Sequence, residues 1–332
     1  MRIGVDAMGG DRAPSTEIEG ALAARTLLDP GDRIALIGDE AILIPQLNGS
    51  GVPDWPEFID VYPASERIGM NESPIDAIRA KPDSSLAVMV GLHAAGKIDA
   101  CVSAGNTGAF AAAASVALRR LKGVQRVGIA VVVPTLHGPV VVCDVGASVS
   151  CRPKHLHQYA VMASVFAERV ADVSHPRVGL LSVGEEDSKG TDTVKDARKL
   201  LKADSALNFV GNVESRDLFR GVCDVLVCDG FVGNVVLKLI EGLGEAILTD
   251  VVHNIKAENE PAAEALAVKA VKTTQSKYDF NDYGGAPLLG VEGICMITHG
   301  ASDARGITNA IRQAKAFSQH QVNDRIMALL GR

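Results

Sequence analysis

Five short apolar runs in this 332-residue chain each lead into a polar, glycine-containing loop that a helical pattern follows. The loops span residues 6–11, 103–107, 144–148, 184–190 and 229–234. Strands that alternate with helices predict an α/β fold with a mostly parallel sheet, whose carboxyl strand ends all lie on one edge. We therefore expect the five loops to line one shared crevice.

The loop at 103–107 is the most informative of the five. An apolar run from Ile98 ends at Ser103, and an alanine-rich helix begins near Thr107. The first turn of a helix has unpaired N–H groups and the positive end of the helix dipole, and glycines such as Gly105 let a ligand approach closely. Ser103, Asn106 and Thr107 would add side-chain hydrogen bonds. The pattern favours an anion site, with an ordinary strand-to-helix turn as the alternative.

The composition indicates an aliphatic core and argues against nucleic-acid binding. Hydrophobic residues make up 47% of the chain and aromatic residues only 4%, which suits buried parallel strands. A net charge of −7 argues against a nucleic-acid surface. The six cysteines form no C-x-x-C pair, so we expect reduced thiols and no metal site. The first residues already show a strand pattern, so we expect no signal peptide. No apolar run is long enough to span a membrane, and we expect a cytoplasmic location.

A hairpin is predicted in the middle of the chain. Two apolar runs at 126–134 and 139–143 are separated by the turn-like residues 135–138. An antiparallel strand should therefore join the otherwise parallel sheet.

A helical arm is predicted at about residues 235–275. Residues 235–253 and 261–271 carry aliphatic stripes at helical spacing, and a polar, acidic segment joins them. We expect this arm to contact a second subunit, with packing on its own chain as the alternative. The remainder of residues 1–332 is expected to form a single catalytic domain.

Several common catalytic motifs are missing from the sequence. No G-x-G-x-x-G follows a strand, and neither G-x-x-x-x-G-K-[ST] nor G-x-S-x-G occurs. If the chain catalyses group transfer, the attacking atom is then expected to come from a substrate. Inorganic phosphate would serve, because it is a competent nucleophile once it is held and aimed.

Seven longer motifs carry a resemblance that extends from Ile3 to about Ala316. They are VDAMGGD (5–11), SAGNTGA (103–109), VGLLSVGEEDSKG (178–190), GNVESRD (211–217), CDGFVGNVVLK (228–238), GGAPLLGV (284–291) and HGASDARGI (299–307). In content, order and spacing the chain resembles the acyl-ACP:phosphate acyltransferase family of bacterial phospholipid synthesis, called PlsX.

The resemblance implies a fold, a reaction and partners. The fold would be an α/β/α sandwich similar to phosphotransacetylases and to isocitrate and isopropylmalate dehydrogenases, with a protruding helical arm and a homodimeric assembly. The reaction would be reversible transfer of a fatty acyl group from acyl carrier protein to inorganic phosphate, with no cofactor. The acyl phosphate would feed a membrane glycerol-phosphate acyltransferase, so we expect peripheral association with the inner face of the membrane.

The resemblance also suggests residue roles. Phosphate would lie on the helix N-terminus behind Ser103, Gly105, Asn106 and Thr107, with Lys189 neutralising part of its charge. Asn234 would stabilise the oxyanion, so Lys189, Asn234 and Asn106 are the catalytic candidates. The other substrate-binding candidates lie in or beside the glycine loops: Asp6, Gly9, Gly10, Asp144, Asp229, Gly233 and His299. For Asp144, Asp229 and His299 a purely structural role is the alternative.

Two other functions remain open at this stage. A phosphotransacetylase that uses short acyl-CoA would share the phosphate loop but would need a nucleotide pocket. A non-catalytic scaffold of phospholipid synthesis would have no need of the polar loop residues.

Overall fold

The framework of the protein is a single sheet of eleven strands, seen in a computed structural model that describes residues 1–257 and 261–331. The strands are β1 (Arg2–Asp6), β2 (Arg33–Gly38), β3 (Ile59–Pro63), β4 (Ala100–Ser103), β5 (Gly128–Thr135), β6 (Gly138–Cys143), β7 (Arg177–Leu181), β8 (Asn208–Val213), β9 (Val225–Val227), β10 (Ala286–Leu289) and β11 (Cys295–Ile297). Their order across the sheet is β3-β2-β1-β4-β11-β10-β5-β6-β9-β7-β8.

Helices cover both faces of this sheet. They are α1 (Ser15–Ala23), α2 (Glu40–Gly49), α3 (Pro74–Ala80), α4 (Ser85–Ala94), α5 (Thr107–Ala117), α6 (Pro153–Arg169), α7 (Asp192–Ala203), α8 (Gly230–Ala257), α9 (Pro261–Lys277), α10 (Phe280–Tyr283), α11 (Ala304–Gln319) and α12 (Val322–Leu330).

Alternation along the strands creates two hydrophobic cores. Ile34 and Leu36 of β2 belong to a core that includes residues of α1, α6 and α11. Their neighbours Ala35 and Ile37 belong to a second core with residues of α4 and α5. Because successive side chains of a strand point to opposite faces, the aliphatic runs fill both layers. The expected α/β/α sandwich is confirmed.

The strand directions differ from the simplest expectation. The predicted hairpin is present as β5 and β6, but β10 is also antiparallel to both of its neighbours, β11 and β5. Strands β1–β4 and β11 therefore run one way, and β6–β9 run the opposite way. The prediction of one shared edge for five loops is wrong, because the hairpin reverses strand polarity in the middle of the sheet.

The two carboxyl edges nevertheless meet near the centre of the sheet. Ile297, the last residue of β11, lies beside Ser103 at the end of β4. On the other side of β10, Cys143 at the end of β6 lies beside Ala130, near the start of β5. Loops from both groups of strands can thus approach one another across β10 and β5.

The predicted helical arm is present as α8 and α9, which pack against each other. Helix α8 begins at Gly230, five residues before the expected start, and part of the predicted connecting segment, 258–260, lies outside the described residues. Among the described helices, none combines the length and apolarity needed to cross a bilayer. All six cysteines are free thiols, as expected.

Candidate active site

A cleft of about 160 Å³ opens where the two carboxyl edges meet. Its lining includes residues that follow β4 and β11 and residues that follow β6 and β9. The lining residues are Thr107, Ile129, Val131, Val132, Val145, Asn234, Leu237, Lys238, Glu241, Tyr283, Gly284, Gly285, Ala286, Ile297, Thr298 and His299. Three sequence-predicted site residues, Thr107, Asn234 and His299, are thus brought together.

The N-terminus of α5 reaches the cleft through Thr107. The helix begins at this residue because the preceding Asn106 caps it: Asn106 Oδ1 accepts a 3.0 Å hydrogen bond from the Ala109 N–H. The N–H groups of Thr107 and Gly108 have no acceptor within the helix, as in any first turn. This end of α5 therefore presents N–H groups and a positive dipole beside the cleft, which suits an anion.

Asn106 itself serves the loop rather than the cleft. Its Nδ2 lies 3.1–3.2 Å from three backbone carbonyl oxygens, those of Gly69, Met70 and Glu72. Both ends of the amide are thus used, one to cap α5 and the other to hold residues 69–72 over the start of that helix. Asn106 is not among the residues that line the cleft, and its hydrogen bonds position the loop and the start of α5.

Ser103 and Gly105 belong to a buried hydrogen-bonded chain that includes Asp6. Ser103 Oγ donates to Asp6 Oδ2 at 2.7 Å and accepts from the Gly105 N–H at 3.0 Å. Burial raises the pKa of Asp6, while the hydrogen bonds from Ser103 and the Met8 N–H oppose that rise. Ser103 and Gly105, which were expected to hold phosphate directly, are therefore bonded to one another, and of the predicted residues in the loop at 103–107 only Thr107 lines the cleft.

The glycines of the loop at 6–11 allow it to pack directly on the loop at 103–107. A Cβ added to Gly9 would lie 2.8 Å from the Gly105 backbone nitrogen, closer than real side chains tolerate. The Gly10 carbonyl accepts a 3.2 Å hydrogen bond from Arg67, and the buried Glu17 side chain lies directly against Gly10. Asp6, Gly9 and Gly10 thus fix the relative position of the two loops.

Asp144 organises the loop that follows β6. Its carboxylate is fully buried and accepts four backbone hydrogen bonds of 2.8–3.0 Å, from the N–H groups of Ile129, Gly146, Ala147 and Ser148. Burial raises the pKa of this carboxyl group, and the four donors act against the rise. The alternative that Asp144 is structural fits this geometry better than contact with substrate.

The first turns of α8 pack on the Asp144 loop. Asp229 caps the helix by accepting a 2.9 Å hydrogen bond from the Val232 N–H. Gly233 lies against the Asp144 backbone carbonyl so closely that no Cβ would fit. One turn into α8, Asn234 Nδ2 donates to the Val145 carbonyl oxygen at 3.2 Å and lines the cleft. Asp229 and Gly233 therefore position Asn234.

Lys189 does not reach the cleft in this structure. It is exposed in the loop after β7, and three strand spacings, about 14 Å, separate β7 from β5. The lysine that lines the cleft is Lys238, which stands four residues after Asn234 and thus on the same face of α8. The sequence signal for Lys238 was its position four residues after Asn234 within the motif at 228–238.

The segment after β11 supplies the remaining polar groups. His299 lines the cleft, and its Nδ1 accepts a 3.1 Å hydrogen bond from the Ala301 N–H. Thr298 was not expected as a site residue, but it is 5% exposed and also lines the cleft. It directly precedes the recognised motif at 299–307, which was the available signal.

Solved structures of other proteins share this overall fold. A phosphotransacetylase from Streptococcus pyogenes aligns with a TM-score of 0.63 and 16% identity over 96% of this chain and 94% of its own. A phosphotransacetylase from Staphylococcus aureus aligns with a TM-score of 0.58 and 17% identity, over 95% of this chain and 94% of its own. A 4-hydroxythreonine-4-phosphate dehydrogenase from Klebsiella pneumoniae aligns with a TM-score of 0.52 and 14% identity, over 96% of this chain and 98% of its own. The fold is thus shared by phosphotransacetylases and a dehydrogenase.

The sequence comparison identifies the family. The model of the family described as "Fatty acid synthesis protein" matches residues 1–325, and the chain belongs to this family. The phosphate acyltransferase of Geotalea daltonii is 46% identical over 331 residues, covering 99% of this chain and 94% of the relative. That of Nostoc punctiforme is 44% identical over 335 residues, covering 99% and 96%. The resemblance inferred from the motifs is confirmed.

Proposed function

We propose that this protein transfers a fatty acyl group from acyl carrier protein to inorganic phosphate. A phosphate oxygen forms a bond to the thioester carbonyl carbon, the C–S bond breaks, and the carrier protein leaves as a thiolate that takes up a proton. The products are an acyl phosphate and the free carrier protein. The reaction as written is reversible and uses no cofactor, and it fits the phosphate acyltransferase name of the curated relatives.

The observation that carries the proposal is the composition of the cleft. The N-terminus of α5 at Thr107 faces the same space as Asn234 and Lys238 of α8. A helix N-terminus and a lysine are suited to phosphate, and an amide N–H is suited to an oxyanion. The alternative of a scaffold gives no reason for these three groups to converge.

The mechanism depends on positioning and electrostatics. Phosphate bound at the Thr107 end of α5 would present one oxygen to the thioester carbonyl. One N–H of Asn234 is held by Val145, which fixes the amide plane, and the second N–H is the donor that we assign to the developing oxyanion. Because a thiolate is a good leaving group, no strong general acid is required.

Charge neutralisation is assigned first to Lys238. It lines the cleft, whereas Lys189 would have to approach it by movement of its loop. We keep Lys189 as a second cation that contacts phosphate only after such a movement.

The apolar part of the cleft is suited to the acyl chain. Its apolar lining includes Ile129, Val131, Val145, Leu237 and Ile297. Burial of a methylene group contributes about 0.8 kcal/mol, so this lining favours a fatty acyl group over acetyl. It therefore supports an acyl carrier protein donor against a phosphotransacetylase that uses acetyl-CoA.

We further propose that the protein is a homodimer whose subunits meet at α8. This helix exposes an apolar stripe at four-residue spacing, formed by Phe231, Val235, Leu239, Leu243, Ile247 and Val251. Contiguous apolar surface of this extent is usually covered in solution. A second copy is the simplest cover, because a two-fold axis lets the same stripe pack on itself.

The reaction also suggests where the protein works. We propose that it acts in the cytoplasm as a single catalytic domain and associates peripherally with the inner face of the membrane. There it would pass acyl phosphate to a membrane glycerol-phosphate acyltransferase. The product carries a long apolar chain, which is the physical reason to release it beside a membrane enzyme.

The direct test incubates purified protein with long-chain acyl-ACP and phosphate and measures acyl phosphate by trapping with hydroxylamine. Parallel reactions replace the donor with acetyl-CoA or omit phosphate. We expect phosphate-dependent product from acyl-ACP and far less from acetyl-CoA. Preference for acetyl-CoA would identify a phosphotransacetylase, and no product from either donor would favour a scaffold.

A further inference from the structure

Thr298 presents a buried hydroxyl group whose hydrogen-bond partner is missing. It directly follows β11, and only 5% of the residue is exposed. Within the described residues 1–257 and 261–331, its Oγ1 has no hydrogen-bond partner. Buried hydroxyl groups are normally hydrogen-bonded, because leaving one unpaired in the interior costs free energy.

The position of Thr298 is fixed by its own backbone. Its N–H donates a 2.9 Å hydrogen bond to the Ser103 carbonyl oxygen, which ties the end of β11 to the end of β4. The side chain is β-branched and therefore restricted about χ1. An unpaired hydroxyl on so rigid a support is not explained by packing, since valine has the same shape without the unpaired oxygen.

The surroundings indicate what the missing partner is. Thr298 and Thr107 line the same cleft, and Thr107 begins α5 with N–H groups that have no acceptor in the helix. These groups and a hydroxyl hydrogen are all donors, so the partner is an acceptor. A phosphate oxygen meets this requirement and is also favoured by the helix dipole.

We infer that Thr298 is a phosphate-binding residue whose hydroxyl donates to a phosphate oxygen in the cleft. The inference rests on the proposed function, because it places phosphate in the same site. It goes further by assigning a donor outside the glycine loop motifs, at the residue that directly follows β11.

The test compares Thr298→Val, which keeps the shape and removes the hydroxyl, with Thr298→Ser, which keeps the hydroxyl. We expect Thr298→Val to raise the KM for phosphate roughly 10- to 100-fold, as for loss of a hydrogen bond to a charged group. The KM for acyl-ACP should change little, and Thr298→Ser should restore most of the phosphate affinity. An unchanged KM for phosphate in Thr298→Val would overturn the inference.

A second measurement separates this inference from the proposed reaction. Inorganic phosphate alone should raise the unfolding temperature of the wild-type protein, because it binds only the folded state. Thr298→Val should fold with equal or greater stability but lose most of that phosphate-dependent rise. Equal rises in both proteins would refute the role of Thr298 even if acyl phosphate is formed. A rise that Thr298→Val loses, in a protein that forms no acyl phosphate, would refute only the reaction.

Discussion

Asn234 Nδ2 donates a 3.2 Å hydrogen bond to the Val145 carbonyl oxygen, and this bond connects α8 to the loop that follows β6. The contact joins two segments that are 89 residues apart in the sequence. It fixes the plane of the Asn234 amide beside the cleft, as the proposed oxyanion role requires.

Asn234→Ala should therefore lower kcat by about 10²–10³-fold, the usual effect of losing one oxyanion donor. The KM for phosphate should change much less, because the donor acts on the acyl carbonyl oxygen. Asn254→Ala is a matched control: the side chain of this exposed asparagine of the same helix bonds to Asp250, away from the lining of the cleft, and its loss should leave kcat unchanged. Near-normal turnover by a folded Asn234→Ala protein would remove Asn234 from the mechanism.

Lys238→Ala should raise the KM for phosphate about tenfold or more, because Lys238 is the lysine that lines the cleft. Lys189→Ala should have a smaller effect, since its loop must first move. Lys199→Ala, at an exposed position of α7, serves as the control. Steady-state kinetics with varied phosphate decide between them, and a KM effect confined to Lys189→Ala would reverse the assignment.

The double substitution Leu243→Glu and Ile247→Glu should convert the proposed dimer into a monomer. Both residues are more than half exposed in the single chain, so the monomer loses little internal packing. Light scattering coupled to size-exclusion chromatography measures the mass. Lys272→Glu, an exposed change on α9, should stay dimeric. A monomeric wild-type protein would contradict the proposed dimer, and the apolar stripe of α8 would then be covered by something other than a second copy of the chain.

Glu17 makes stability depend on pH. Burial raises the pKa of this carboxyl group from 4.5 to about 7, and the nearby Asp6 adds to the rise. A folded-state pKa above the unfolded value means that stability falls as pH rises from about 4.5 to about 7. Glu17→Gln should therefore stabilise the protein at about pH 8 by up to about 3 kcal/mol, and by clearly less at about pH 5.

Urea unfolding at the two pH values measures this difference. Glu19→Gln, an exposed neighbour on the same helix, should change stability little at either pH. A Glu17→Gln gain that does not grow with pH would mean that Glu17 titrates normally in the folded protein.

Local sequence patterns were sufficient for individual elements. The start of α5 at Thr107 and the turn at 135–138 were correctly predicted, because a capping asparagine and a short hydrophilic turn act over a few residues. The direction of β6–β9 relative to β1–β4 was not predicted correctly, because it depends on how β10 and β11 insert between β4 and β5. These strands come from residues 286–297, far from their neighbours in the sequence.

The same limit applies to the site. Thr107, Asn234 and His299 were found because each lies in a recognisable motif. Lys238 was missed because a lysine on a helix usually indicates a solvated face, and only the packing of α8 places it at the cleft. Lys189 was expected there from the resemblance, but it follows β7, which lies three strands away from β5 in the sheet.

The measurement that tests the mechanism most directly is release of the carrier protein thiol from acyl-ACP as phosphate is varied, combined with the intact mass of the protein. Attack by phosphate itself predicts no thiol release without phosphate, a saturable increase with phosphate, and no acyl adduct on this chain. Thiol release without phosphate, or a protein mass increased by one acyl group, would contradict it.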